Sequence, residues 1–294
     1  MAKTKKQTVL ITGAGGYVGS ALVEYCVQMG WQVIGLVRDP KKYKMPGVTF
    51  VAYDLAKSFD DTIFKGADYL VHLAYMKYDR QHPDALDINV AAAERLIAAS
   101  RKYKLKHTVF MSTMSAHEGG TSVYARQKLR IEELFNTNRD TVLRAGLIIG
   151  GGGIVREMAS FMKTKRLVPL VGGGTQPLQV IALYDLIALI TKVLQTGLSG
   201  TYTVANPTVY QYKDFYRLLG ERIGVKPLFL PVPFFAIQGA LRFADMLHIS
   251  LSVSEDNLNG LKHLISVDNT GDLKRLKATL DDLPTALANT KSLA

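Results

Sequence analysis

Tyr124 and Lys128 stand four positions apart in YARQK, within a helix predicted over Val123–Asn136. Residues at this spacing share one face of a helix, so the Lys128 ammonium can stabilise a Tyr124 phenolate. A phenol with such a neighbour can exchange a proton with an alkoxide. Ser112 and Thr113 end a preceding apolar run, and each offers a hydroxyl for the same oxygen. This combination predicts acid–base chemistry at a carbonyl or alcohol group.

A cluster of four glycines between Gly13 and Gly19 lies between a short apolar run and a helical pattern. In a strand, glycine turn and helix arrangement, successive glycines permit the turn, admit a pyrophosphate and let the helix pack closely. Free N–H groups at the helix N-terminus then favour the phosphates. The pattern predicts a dinucleotide site at Gly13, Gly15, Gly16, Tyr17, Val18 and Gly19.

Short β-branched runs alternate with helical patterns over the first half of the chain. Strands are predicted at Thr8–Thr12, Gln32–Val37, Val48–Ala52, Tyr69–Leu73, His107–Ser112 and Thr141–Arg144. Helices are predicted at Tyr17–Met29, Asp84–Tyr103 and Val123–Asn136. This alternation predicts an α/β fold with a doubly wound parallel sheet. We predict a nucleotide-binding domain over 1–150, and interleaved last strands with a smaller C-terminal substrate lobe over 151–294.

Motifs along most of the chain resemble those of extended and atypical short-chain dehydrogenases/reductases. TGAGGYVG is similar to their TGxxGxxG loop, and YDLAK, LVHLAY, HTVFMSTMSA and YARQK follow in the family's order. TVLRAGLIIGGGG and the segment after it resemble NAD-dependent epimerase/dehydratase relatives and the 39-kDa-type subunit of respiratory complex I. The resemblance implies a Rossmann-type sheet and an NAD(P)-dependent reductase, dehydrogenase or epimerase. Hydride would pass to or from a carbonyl or alcohol carbon of a sugar nucleotide or hydrophobic small molecule.

The resemblance also implies roles for single residues. Tyr124 matches the acid/base, and Lys128 the cation that also holds the nicotinamide ribose. Thr113 matches the catalytic hydroxyl, with Ser112 as the alternative. Further cofactor contacts are implied at Asp54, Leu55, Leu73, Ala74, Tyr75 and Asn89.

The end of the second predicted strand bears on the choice of cofactor. Val37 stands where an acid would bind the 2′-hydroxyl of NAD, and Arg38 and Lys42 follow it. The guanidinium suits phosphate oxygens, and VRDP resembles NADPH-dependent dihydroflavonol-type reductases. We expect NADP(H) in preference to NAD(H), although Asp39 could accept a ribose hydroxyl.

Several positions depart from the pattern of active epimerases. The segment between Thr113 and Tyr124 is short, Ala145 replaces the proline after Arg144, and Ala182 stands at the family's histidine. All of these changes fall on the substrate side. The alternative function is therefore a non-catalytic NADP(H)-binding redox sensor or assembly subunit.

The bulk composition excludes other classes. One cysteine, Cys26, cannot form an internal disulfide and is expected to be a buried small hydrophobe. The net charge of +11 admits anionic partners, but no basic motif of a nucleic-acid module occurs, so no specific nucleic acid is expected. No metal-ligand spacing is present. No apolar run spans a bilayer and MAKTKKQ lacks the apolar core of a signal peptide, so a cytoplasmic protein is expected.

The remaining expectations concern the C-terminal lobe and partners. Phe234, Ile237, Leu241 and Ala244 align on one helix face, which could touch a membrane or pack on the lobe; we favour packing. The tail after Leu283 is expected to be loosely held. A small-molecule substrate is the expected partner. A homodimer through the helices at 84–103 and 123–136 stays open.

Overall fold

The structure, a computed structural model, describes residues 6–78, 82–246 and 255–293, without the side chains of 240 and 242–246. The first five residues of MAKTKKQ and the side chain of Ala244 lie outside this part. The strands are β1 (Thr8–Thr12), β2 (Gln32–Val37), β3 (Val48–Ala52), β4 (Tyr69–His72), β5 (His107–Thr113), β6 (Thr141–Ala145), β7 (Leu147–Ile149), β8 (Leu167–Val171), β9 (Pro177–Leu178), β10 (Val180–Ala182), β11 (Gly200–Val204), β12 (Tyr210–Gln211) and β13 (Leu228–Val232).

Ten α-helices of the described residues lie between or after these strands. They are α1 (Tyr17–Gln28), α2 (Ala85–Lys102), α3 (Val123–Glu132), α4 (Gly153–Lys165), α5 (Leu183–Thr196), α6 (Tyr212–Ile223), α7 (Phe234–Met246), α8 (Glu255–Lys262), α9 (Thr270–Leu276) and α10 (Leu283–Asn289). Helix α3 ends before the predicted Asn136, because Leu134 N and Phe135 N donate to oxygens three residues back and tighten the chain into a turn.

The chain divides into two compact units whose segments interleave along the sequence. The first unit holds Met1–Ser112, Gln127–Arg144 and Leu186–Tyr202, and the second holds Thr113–Arg126, Ala145–Asp185 and Thr203–Ala294. The predicted boundary at residue 150 falls inside the second unit.

The central sheet has the order β11-β6-β5-β4-β1-β2-β3. The pairs β2–β3, β1–β2, β1–β4 and β4–β5 are parallel, which confirms the predicted Rossmann-type α/β fold. The strand order reverses between β1 and β4. At such a switch point, the carboxyl ends of the strands leave a crevice in which ligands bind.

The core of the first unit explains why its helices are amphipathic. Leu10 and Leu36 of the sheet and Leu96 of α2 are fully buried in one cluster. Cys26 of α1 is also fully buried, as predicted, and burial raises its pKa to about 12. The thiol is therefore a small core hydrophobe.

The core of the second unit includes the end of the chain. Leu283 and Leu287 of α10 are buried in the cluster that contains Phe215 of α6. The Arg222 guanidinium donates to Leu287 O and Thr290 O, both at 2.8 Å. The expectation of a loose tail after Leu283 is wrong, because these apolar side chains are part of the core of the second unit. The sequence alone does not show which element they pack against.

Helix α7 bears out part of the expectation for its apolar residues. Leu241 is buried, as packing on the lobe requires, and Phe234 and Ile237 are half-buried, whereas Phe235, outside the predicted stripe, is exposed. Among the described residues, no helix combines the length and apolar character needed to cross a bilayer.

Candidate active site

In the glycine loop after β1, other backbone segments of the protein lie too close to leave room for side chains. Gly13 has φ of +69°, and a side chain there would bring its Cβ to 3.0 Å from Ala74 N. A Cβ on Gly19 would lie 2.9 Å from Ala14 Cα, so α1 can pack on the loop only without it. The packing of the chain itself therefore requires glycine at both positions, whether or not a ligand binds.

The N-terminus of α1 has the chemistry of a phosphate site. Within the described chain, no side chain caps the helix at Gly16, and its first turn has no acidic residue. The first N–H groups of a helix have no intrahelical partner, and the helix dipole makes this end positive. A Cβ at Gly16 would also crowd Gly13 O, at 3.2 Å. The first turn of α1, which begins with Tyr17 and Val18, therefore has the polarity that suits a pyrophosphate.

Gly15 has a different neighbour from the one the motif predicts. A side chain at Gly15 would collide with the Tyr43 ring and hydroxyl. Tyr43 follows the Arg38–Lys42 segment, and its ring centre lies 5.3 Å from that of Phe50 of β3, with the two ring planes tilted at 31°. The missing side chain at 15 makes room for this tyrosine, which the sequence did not indicate.

Thr12 joins the ends of β1 and β4 at the switch point. Its Oγ1 accepts hydrogen bonds from Leu73 N at 3.1 Å and Ala74 N at 3.0 Å, and contacts His72 Nδ1 at 2.8 Å. A hydroxyl has one proton and two lone pairs, so Thr12 must donate to His72 Nδ1. We infer that His72 carries its proton on Nε2. The predicted cofactor residues Leu73 and Ala74 are thereby fixed beside the glycine loop.

We expect His72 to make folding stability depend on pH. Burial, and next the Lys128 charge, lower the pKa of His72 to about 3, whereas an unfolded histidine titrates near 6.5. Between these values only the unfolded chain binds the proton, so stability falls as pH falls below about 6.5. From pH 7.5 to 5 this group contributes a loss of about 2 kcal/mol. Urea unfolding of His72→Asn, which keeps an acceptor for Thr12, should show a loss smaller by that amount; equal losses would contradict the assignment.

Asn89 and Tyr75, both predicted to contact the cofactor, have protein partners in the first unit. The buried Asn89 amide donates to Met76 O at 2.8 Å and accepts from Met76 N at 2.9 Å. Tyr75 donates its hydroxyl to Gln127 Oε1. Asn89 therefore acts as a clamp that positions the loop after β4.

Two of the predicted adenosine-side residues line a cavity of about 370 Å³ in the first unit. Arg38 and Asp54 both line it, while Leu55 is buried in the core. Asp39 accepts from Lys41 N at 3.2 Å and lies 3.8 Å from Lys42 Nζ. Asp39 therefore caps its own turn, which leaves the exposed Arg38 as the charge at the end of β2.

Lys128 is buried in the first unit, where aromatic rings and a backbone carbonyl surround its ammonium. Its Nζ donates to Met111 O at 2.8 Å and lies 5.1 Å from the Tyr75 ring centre and 4.8 Å from that of Phe110. Burial lowers the pKa of Lys128 to about 8, against the opposing charge of Glu132. The ammonium is thus held in one place, and with a pKa of about 8 it keeps most of its charge at neutral pH.

Glu132, one turn beyond Lys128 on α3, was not predicted. Its carboxylate accepts from Arg144 Nε at 3.1 and 3.0 Å and from Arg144 Nη2 at 2.5 Å. Ser112 donates its hydroxyl to the same carboxylate. The proton of Ser112 is therefore engaged inside the first unit.

Tyr124 and Thr113 share a hydrogen bond in the second unit. Thr113 Oγ1 also accepts from Ser115 N at 3.3 Å. Tyr124 is 37% exposed. Burial raises the pKa of Tyr124, and the bond with Thr113 opposes this. The structure thus brings together the tyrosine and Thr113, the first of the two predicted hydroxyls.

The N-terminus of α3 is capped by a residue far away in sequence. Asp256 of α8 accepts from Val123 N at 2.5 Å and Tyr124 N at 3.4 Å, and Ser122 Oγ accepts from Ala125 N at 3.1 Å. Asp256 orients the first turn that carries Tyr124, and no local pattern could have indicated it. Across the described residues, no group of His, Cys, Asp and Glu side chains is arranged to hold a metal.

Comparison with known proteins gives three similarities beyond a family model. The model of the NAD dependent epimerase/dehydratase family matches residues 9–205. The Arabidopsis thaliana protein NADH dehydrogenase (ubiquinone) 1 alpha subcomplex subunit 9, mitochondrial, is 24% identical over 241 residues, 76% of this chain and only 60% of that subunit. The ceramide reductase of Caulobacter vibrioides is 27% identical over 257 residues, 82% of this chain and 79% of that protein. The human epimerase family protein SDR39U1 with NADPH superimposes with a TM-score of 0.75 at 18% identity, over 96% of this chain and 98% of that one.

Proposed function

Because the chain belongs to the NAD-dependent epimerase/dehydratase family, we propose that it is an NADP(H)-dependent oxidoreductase of the extended/atypical short-chain type. The predicted enzyme class, an NAD(P)-dependent reductase, dehydrogenase or epimerase, and the pyridine nucleotide as cofactor are those of this family. The observation that carries the proposal is helix α3, which holds Tyr124 and the buried Lys128 one turn apart while Tyr124 bonds Thr113.

The proposed chemistry assigns one task to each side chain. The nucleotide, when bound, exchanges a hydride with a carbonyl or alcohol carbon. In reduction, Tyr124 gives its hydroxyl proton to the substrate oxygen and Thr113 donates a hydrogen bond to it. The Lys128 ammonium stabilises the phenolate that forms. In the reverse direction, the phenolate takes the proton from an alcohol.

Backbone and side-chain groups of the first unit would hold the nucleotide. The loop Gly13–Gly19 and the N-terminus of α1 would face the pyrophosphate, and Leu73 and Ala74 would line the same crevice. Lys128 would also hold the nicotinamide ribose. Substrates of two kinds, sugar nucleotides and hydrophobic carbonyl compounds, stay open; similarity to a ceramide reductase supports the second.

We expect Arg38 to set the preference for NADP(H). Replacing Arg38 by alanine removes a charge-assisted hydrogen bond to the 2′-phosphate, which should weaken NADP⁺ binding by about 10- to 100-fold. NAD⁺, which lacks that phosphate, should bind unchanged. Calorimetric titration of both nucleotides checks this, with Arg156→Ala, another exposed arginine, as the control. Equal losses for both nucleotides would contradict the assignment.

The experiment that tests the proposed function combines binding with turnover. Titrations with NADPH and NADH should raise the melting temperature, more strongly for NADPH. Oxidation of NADPH is then followed with 4-keto sugar nucleotides and with long-chain ketones. Turnover of either class supports the proposal. Binding without turnover of any would favour the alternative, a non-catalytic redox sensor or assembly subunit, which similarity to a subunit of a larger enzyme also supports.

A further inference from the structure

Strands β8 and β13 of the second unit form a two-stranded parallel sheet with two unlike faces. Val168 and Leu170 are buried in the core of the unit, and Phe229 packs against that core. Side chains alternate along a strand, so on each strand the residues next to these buried ones point to the opposite face of the sheet. The outward residues, which we call the apolar face, pair in register as Leu228 with Leu167, Leu230 with Pro169 and Val232 with Val171.

Much of the apolar face is exposed to solvent, although its side chains are all apolar. Leu228 is 69% exposed, Leu230 49% and Leu167 39%. Phe235, three residues beyond the end of β13, is 76% exposed. Single exposed apolar residues are common on protein surfaces, but a contiguous group of this kind marks an interaction surface.

The segments that build the apolar face carry basic charge alone. Residues 158–184 and 222–244 contain no aspartate or glutamate. Leu228 N donates to Arg166 O at 2.8 Å, which places the basic residues before each strand at one end of the sheet. The exposed basic residues of this rim are Lys163, Lys165, Arg166 and Lys226.

We propose that the apolar face and its basic rim bind the surface of an anionic phospholipid bilayer. Leucine and phenylalanine side chains enter the boundary between headgroups and acyl chains, while lysines meet lipid phosphates. In a symmetric dimer through this face the basic rim would meet no opposite charge, because the second copy presents the same segments without acidic residues. Nucleic-acid interfaces are far more polar than six aliphatic side chains. The inference uses no residue of the nucleotide or catalytic site.

Sedimentation of the full chain with phospholipid vesicles tests the proposal. Vesicles of phosphatidylcholine with about 30% phosphatidylglycerol are compared with phosphatidylcholine alone, at about 50 and 500 mM salt. The wild-type chain should bind the anionic vesicles at low salt. L228S/L230S should lower the partition constant at least tenfold, and K163Q/K165Q/K226Q roughly a hundredfold, since each lysine near such a surface contributes roughly fivefold.

Matched controls separate this surface from general stickiness. V209S/I265S removes two apolar residues that are 49% and 43% exposed elsewhere in the second unit. K65Q/K104Q/K262Q removes three other exposed lysines. Both controls should bind vesicles like wild type, and every variant should keep the wild-type melting temperature.

Three results would overturn the proposal. The wild type could fail to sediment with anionic vesicles at low salt, or L228S/L230S could sediment as well as wild type. A wild-type dimer that L228S/L230S converts to a monomer, with vesicle binding unchanged, would make a second copy the occupant. NADPH titration of the same variants should match wild type, so failure here is distinguishable from failure of the proposed enzyme function.

Discussion

Tyr124→Phe should lower the turnover of NADPH with a carbonyl substrate roughly a thousandfold, within the range for loss of a positioned acid. The affinity for NADPH should stay within about twofold, because the change removes only a hydroxyl that the nucleotide site does not use. Burial raises the pKa of Tyr124, so the phenol carries its proton at neutral pH, and the phenylalanine variant has no such proton to give to the substrate oxygen. Steady-state kinetics and calorimetric titration of the same preparation check both halves.

The two neighbouring hydroxyls provide the controls. Thr113→Val should also reduce turnover, because it removes the partner of the Tyr124 hydroxyl. Ser112→Ala should instead reduce stability, because it removes a buried hydrogen bond to Glu132. Wild-type turnover in Tyr124→Phe would exclude the tyrosine as the acid. Loss of nucleotide binding in that variant would show a structural fault rather than a chemical one.

The choice between Ser112 and Thr113 shows where sequence reasoning reaches its limit. Adjacent residues of a strand point to opposite sides, so only one of the two hydroxyls can face the tyrosine. Ser112 instead donates its hydroxyl to Glu132 of α3, which leaves Thr113 as the hydroxyl that bonds the tyrosine. That contact joins residues on two elements, and no local pattern reports it.

Local features were predicted well because their causes are local. The bounds of β1 and the start of α1 follow from an apolar run, a glycine turn and helical periodicity, all within twenty positions. Asp256 caps α3 from more than a hundred residues away. Tyr43, in the loop between β2 and β3, fills the space over Gly15. Such contacts depend on how elements pack. The burial of α10 was not predicted for the same reason, since it depends on packing against α6 and the sheet strands of the second unit.

Glu132→Gln should lower the free energy of unfolding by about 3–5 kcal/mol, the usual effect of removing one partner from a buried ion pair. The carboxylate is nearly buried and faces two cations, Arg144 by direct hydrogen bonds and Lys128 one turn away. Glutamine keeps the shape and an acceptor oxygen but leaves those charges without their counter-ion. Urea unfolding near neutral pH measures the loss.

Glu133→Gln, one residue further along, is the matched control. Glu133 pairs with Arg130 on the surface, where both side chains are more than half exposed, so its loss should be at most about 1 kcal/mol. Replacing Glu132 and Arg144 together by methionine should recover much of the stability, because the desolvation of both charges is then removed. Equal effects of Glu132→Gln and Glu133→Gln would contradict the role of Glu132. A loss that persists in the double variant would place the stabilisation in the Ser112 hydrogen bond and the pairing with Lys128 rather than in Arg144.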